Sequence, residues 1–383
     1  MAYKKSSKKF SKEDKKNLIN EYQEQIDSYF LGLADHVSDR LISDLEKGIP
    51  PWESPVMDTH YHNPESGANY NFENSILLWA ATEGKEYKSN KFVTAKQGFD
   101  AGLTMEKGTT GYKIVQRFGM PLGTMYETDT NGNYKKDDNG KLIPQRDENG
   151  DIKKLYKRAA KLVTVFNIDQ FKGEIPKRWL KDEQKPTLDN NEEMILFRDA
   201  LEASSECPIL RHKSSKNYYL PPLDHIKLSN SDLFKSTLQE ISTMAHEIAH
   251  STGHKDRLNR ETIYTYAKNN CNRGYEELVA NFASRGLTEK YRLPEKEVKA
   301  SYLNNHDSYD MGWMLPVIKE DIKLVFDAAQ DANRAFKRVD KKFQEELKKE
   351  PKLKEFVEEK MDKEFDAPKN NNKTQYRRKR NRP

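Results

Sequence analysis

Residues 244–254 read MAHEIAHSTGH: two histidines four apart, with a glutamate directly after the first. What the stretch can do depends on whether it is helical. In the surrounding segment 231–253, SDLFKSTLQEISTMAHEIAHSTG, Phe234, Leu238, Ile241, Ala245 and Ile248 follow a 4-3-4-3 rhythm, the spacing of one helical face. Ser231 or Asp232 can cap its start, and Gly253 suits its stop. On a helix, side chains four apart lie one turn apart on one face. His246 and His250 can then aim ring nitrogens at one cation, while Glu247 reaches a water beside it. Chance supplies H-E-x-x-H on the order of 0.02 times in a chain of this composition. The pattern predicts bound zinc, with Glu247 as the general base.

A third ligand is needed, and 274–284, GYEELVANFAS, is the best source. It reads as a helix with Leu278 and Phe282 inward, and Glu276 and Glu277 form an adjacent acid pair. Glu277 is the expected ligand. Asn281, one turn later on its face, is placed to hydrogen-bond a liganding histidine from behind. His254 does not fit the metzincin spacing, whose third histidine lies further on, so a supporting role outside the ligand set is expected for it.

Outward from this centre, the 383 residues suggest two or three domains at about 150 residues each. With 33% charged and 10% aromatic residues the chain is polar but able to build a core. No apolar run approaches the roughly 20 residues of a membrane span, and the basic start MAYKKSSKKF is not followed by the apolar stretch of a secretory signal. Two cysteines, Cys207 and Cys271, imply no disulfide framework. A cytoplasmic protein without membrane partners is the expectation. Net charge is +5, with basic clusters at both ends.

The order of elements predicts an α+β protein. Residues 1–20 read as a basic extension. An amphipathic helix is expected over 21–56, stopped by Gly48 and Pro50-Pro51; further helices are expected over 74–84 and over 94–102 with Thr94 as cap. Strand patterns follow at 111–118 and 161–171. Between them, Asn131-Gly132, Asn139-Gly140 and Asn149-Gly150 are turn signals, so 119–160 reads as a protruding hairpin or pair of hairpins. The twelve-residue loop and closing glutamate of a calcium site are missing there. Residues 180–193 read as a linker between a first domain, 21–179, and a second, 194–340. In the second, NYYLPPLDHIKLS (217–229) gives two strand pieces around Pro221-Pro222. Residues 341–383 read as a charged, partly disordered tail, with EELKKEPKLKEFVEEKMDKEF (345–365) as a solvated helix.

The ordered series DLEKGIPPWESP (44–55), YNFENSILLWAA (70–81), FVTAKQGFDAG (92–102), MEKGTTGYKIV (105–115), TVFNIDQFKG (164–173), NYYLPPLDHIKL, HEIAHSTGHKDRLNR, EELVAN and GWMLPVIKEDIKLVFDAAQDANRAF (312–336) resembles the ArdC family of plasmid and phage antirestriction proteins. The likeness runs through most of 21–340. It implies an N-terminal domain that binds single-stranded DNA and a zincin-like metallopeptidase domain, together protecting incoming DNA from host defence. By the same resemblance His246, His250 and Glu277 are metal ligands and Glu247 the base, with a host protein or peptide as substrate. Where the family commonly has glutamate, this chain has Asn281, which can accept a hydrogen bond but brings no charge. The alternative is a non-catalytic protein that coats single-stranded DNA and whose zinc site is structural or vestigial. Under this resemblance, basic and aromatic residues of the first half, Lys91, Lys96, Lys107, Tyr112 and Lys113, are the expected strand contacts, since single-strand binders pair stacking faces with cations.

Overall fold

The backbone N–H of Ser11 donates to Asp14 (2.8 Å), and that of Asp14 to the Ser11 hydroxyl (3.0 Å). This reciprocal cap starts helix α1 at Lys12, and it runs to Glu46. The expected basic extension is therefore helical from its second half onward. The computed structural model describes residues 11–46, 61–82, 84–180, 191–291, 293 and 317–349. The expected stop at Gly48 and Pro50-Pro51, most of the linker and the tail beyond 349 lie outside the described residues.

The described residues fall into two compact units, one drawn from Met1–Leu33 and Lys113–Thr164, the other from Ala34–Tyr112 and Val165–Pro383. In the first, β5 (Tyr112–Thr124) and β6 (Lys154–Asn167) pair as the stem of a long hairpin. Ile19 of α1 packs on Met120 and Ala159, with Leu18, Tyr22 and Phe118 around them. At the far end of the stem the expected one or two hairpins are three short ones. Asp129, Asp137 and Asp147 each accept two backbone N–H groups, from the residues two and four further on. Gly132, Gly140 and Gly150 then take φ of +84°, +76° and +80°, which only glycine adopts at little cost. Two rings of backbone hydrogen bonds tie the three together. Met125, Gln145 and Lys153 form one ring, and Glu127, Lys135 and Ile143 the other, each residue donating to the next at 2.8–3.1 Å.

In the second unit, Asn71 caps α2 (Phe72–Ala81), accepting from Asn74 N–H. Thr94 and Gln97 form the capping box of α3 (Ala95–Asp100). β1 (His62–Asn63) pairs with β2 (Ala68–Asn69), β3 (Phe92–Val93) with the end of β6, and β4 (Thr104–Met105) with β7 (Phe171–Lys172). Val93, Leu103, Ile168 and Trp179 fill the core beneath them. After α4 (Lys177–Leu180) and α5 (Asn191–Ala203), a three-stranded sheet forms in the order β8 (Ile209–His212), β10 (His225–Ser229), β9 (Tyr218–Leu220). The first pair is parallel and the second antiparallel.

The helix carrying the histidines, α6 (Thr237–Ser251), is buried on nearly all sides, packing against α5, β9 and β10. Its cap is Ser236, not Ser231 or Asp232; those two lie in a separate single turn just before it. Beyond the short α7 (Thr262–Thr265), α8 (Asn270–Lys290) crosses α6, and α9 (Lys323–Leu347) packs on both. Phe343 and Leu347 of α9 are fully buried, with the Phe343 ring 4.5 Å from that of Phe197. The stretch expected to open a solvated tail thus closes the core, because its apolar residues recur every four positions. Phe72 of α2 stacks on Phe282 of α8 at 5.8 Å between ring centres. This contact joins an N-terminal helix to the helix that carries Glu277, within the same unit. No helix among the described residues is long and apolar enough to cross a membrane.

Candidate metal centre

α6 carries His246, Glu247 and His250 into the interior, where each is less than a tenth exposed. Buried ionisable groups need partners, and α8 brings them. His246 Nε2 lies 3.0 Å from His250 Nε2 and 3.2 Å from Glu277 Oε2, and His250 Nε2 is 3.7 Å from that oxygen. Among the described residues these three alone form a cluster able to hold a metal ion. A tetrahedron whose corners lie about 2.05 Å from its centre has edges of about 3.3 Å, so this donor spacing suits an ion of zinc-like size.

The electrostatics agree. Burial opposes a charge on His250, but the carboxylates of Glu276 and Glu277 beside it outweigh this and push its pKa up to about 10. Burial likewise opposes ionisation of Glu277, yet the two histidines hold its carboxyl well below the usual range. A pocket that favours positive charge this strongly is suited to a cation. Glu247 behaves oppositely: burial, with the negative charge of Glu277 adding to it, raises its pKa from the ordinary value against the pull of the two histidines. The backbone N–H of Tyr219 on β9 also pulls it down.

The side chains behind the ligands differ from those expected. Asn281 is fully buried one turn beyond Glu277, but its amide makes no hydrogen bond to the described residues. His254 accepts from the Asp256 N–H (3.3 Å) and lies 3.8 Å from Asp224, so it serves the loop after α6 and stands outside the ligand cluster. The carboxylate nearest the rear of the His250 ring is instead Glu276, 3.9 Å from Nδ1 and making no hydrogen bond to it. It is locked by a two-pronged Arg260 pair at 2.9 and 2.8 Å and by the Thr262 hydroxyl. Arg260 also donates to Thr252 Oγ1 at 2.8 Å. Gly253, expected as a helix stop, has no positive φ; a Cβ there would sit 3.0 Å from the Arg260 guanidinium. Its small size makes room for that arginine. Arg257 ties the same loop to the sheet through Asp224 and the Tyr219 hydroxyl. Tyr266 donates its hydroxyl to Glu277 Oε1; burial and the charge of Glu277 keep it protonated. The run KDRLNR hinted at the two arginines, whereas nothing in the local pattern marks Tyr266.

Of the expected strand contacts, Lys91 and Tyr112 are buried, which corrects their reading as surface groups. Tyr112 bonds the Tyr87 hydroxyl at 2.5 Å and packs edge-on to Phe92. Lys96, Lys107 and Lys113 are exposed. Lys96 pairs with Asp100, and Lys113 donates to Thr164 at 2.6 Å.

Comparison with known proteins matches residues 32–166 to the N-terminal domain of the anti-restriction factor ArdC and residues 198–331 to a zincin-like metallopeptidase domain. The crystal structure of the antirestriction protein ArdC from plasmid R388 is similar in its metal-free form, with a TM-score of 0.51 and 27% identity over 82% of this chain and 98% of that one. Its Mn(II)-bound form is similar with a TM-score of 0.53 and 25% identity over 81% and 98%. A DNA primase TraC of Escherichia coli is 27% identical over 312 residues, which is 78% of this chain but only 26% of that protein.

Proposed function

Because this chain is an ArdC-like protein, joining an ArdC-type N-terminal domain to a zincin-like metallopeptidase domain, we propose that it protects incoming plasmid or phage DNA in the cytoplasm, binding single strands and hydrolysing a peptide bond in a host protein. The observation that carries the peptidase reading is the convergence of His246, His250 and Glu277 beside the buried carboxylate of Glu247. The donor set suits a divalent cation, and we assign it zinc. Such an ion would supply Lewis acidity to a carbonyl and acidify a water. The chain's own residues do the rest. Glu276, held by Arg260, places a negative charge behind the His250 ring, and Tyr266 holds the far oxygen of Glu277, leaving Oε2 toward the histidines. Glu247, raised by burial, has the proton affinity a general base needs. It takes a proton from the attacking water and can return it to the leaving amine.

A second reading, a strand-coating protein with a structural ion, is favoured by the depth of all four residues. Glu247→Gln separates the two. The variant should keep its metal, measured by elemental analysis against a His250→Ala control, and lose protection of conjugated DNA in a restricting host. Full protection by metal-loaded Glu247→Gln would rule out the peptidase reading and leave coating.

A further inference from the structure

β6 carries Lys154, Leu155, Tyr156, Lys157 and Arg158 as one exposed run, with Lys153 just before it. Alternation along a strand puts Lys154, Tyr156 and Arg158 on one face. The opposite face bears Ala159, which packs with Met120 against Ile19 of α1. Across the stem, Arg117 and Gly119 share the outer face with Tyr156. A Cβ on Gly119 would lie 3.3 Å from Tyr156 Cδ1 and 3.6 Å from its Cγ. The tyrosine ring therefore rests on bare glycine backbone, yet it is 58% exposed. It is supported beneath and open above.

No ion pair among the described residues engages Lys153, Lys154, Lys157 or Arg158, and the run contains no acid. Unpaired cations on a strand that also exposes a braced aromatic ring complement a polyanion with accessible base faces. A duplex would satisfy the charge but hide the bases from the ring.

We propose that this face of the β5–β6 stem binds single-stranded nucleic acid, with Tyr156 as the stacking platform and Lys154 and Arg158 on the phosphates to either side, roughly 7 Å away along the strand. The proposal rests on the strand-binding reading above and assigns it a surface that does not involve Lys91, Lys96, Lys107 or Tyr112. Fluorescence anisotropy of the full chain with a dye-labelled oligothymidylate tests it. Tyr156→Ala should weaken binding about tenfold, with Tyr156→Phe close to wild type. Tyr156→Ala should leave binding of an abasic oligomer of equal length unchanged. Lys154→Ala with Arg158→Ala should reduce the log–log salt slope by about 1.4, from about 0.7 per phosphate contact on a single strand. All these side chains are exposed, and circular dichroism reports that the variants fold. If wild type binds the oligomer and the variants bind it equally well, the stem assignment is wrong while strand binding stands. If wild type does not bind, or prefers duplex, both fail.

Discussion

Glu276 shows how much one side chain can carry without touching the reacting atoms. Burial would raise its pKa, but the charge and hydrogen bonds of Arg260, with His250 close by, outweigh it and hold the carboxyl at about 2 against an ordinary 4.5. A depressed folded pKa means the pair stabilises the fold at any pH above the ordinary value. That contribution, on the order of 3 kcal/mol, is lost as pH falls from 4.5 through about 2. Glu276→Gln in chelator-treated protein should be less stable at neutral pH, and the gap from wild type should close as the solution is acidified. Denaturation curves at several pH values measure this; a gap independent of pH would mean that the ion pair is not its source. Tyr266→Phe removes the donor on Glu277 Oε1, and a support of this kind is worth about 10- to 100-fold in metal affinity. Competition with a calibrated chelator reads that loss, and unaltered affinity would remove Tyr266 from the site.

At the scale of elements, packing rather than propensity decides where helices matter. The closing turns of α9 read as charged and solvated, yet Phe343 and Leu347 sit in the main core. Phe343→Ala should cost about 3–5 kcal/mol, whereas a solvated helix would lose less than about 0.5 kcal/mol; urea unfolding distinguishes these outcomes. In α8, Gly286 lets Phe72 approach so closely that a Cβ would lie 2.5 Å from its ring. Gly286→Ala gains about 1 kcal/mol of helix propensity but overpacks a filled contact, at about 1–3 kcal/mol. Because Phe72 is held between Phe282 and Phe336, the packing penalty should win and the melting temperature should fall. A higher melting temperature would show that the ring yields freely.

At the scale of the whole molecule, the first and second halves of the sequence are not the two compact units. α2, which lies in the stretch matched by the ArdC N-terminal domain, is built into the unit that holds the candidate metal centre, while the stem and its three-hairpin head belong to the other. Replacing Met125–Lys153 by a short Asn-Gly turn should therefore leave metal stoichiometry and the second unit's unfolding unchanged. Loss of metal on this excision would show that the head is needed to build the centre.

The sequence by itself determined the parts that depend on local spacing. A period near 3.6 with histidines four apart specifies a helix presenting two imidazoles, Thr94 and Gln97 specify a cap, and each Asp-x-Asn-Gly specifies a turn. It also favoured Glu277 over its neighbour Glu276 as the candidate third donor, because Glu277 lies four before Asn281 and shares its helical face. Tertiary structure alone decided which groups stand behind the ligands, that Lys91 and Tyr112 are buried, and that Tyr156 lies open on Gly119. These outcomes depend on contacts between residues distant in the chain. Local periodicity carries no record of which backbone or side chain will arrive from elsewhere to fill, cover or leave bare a given face.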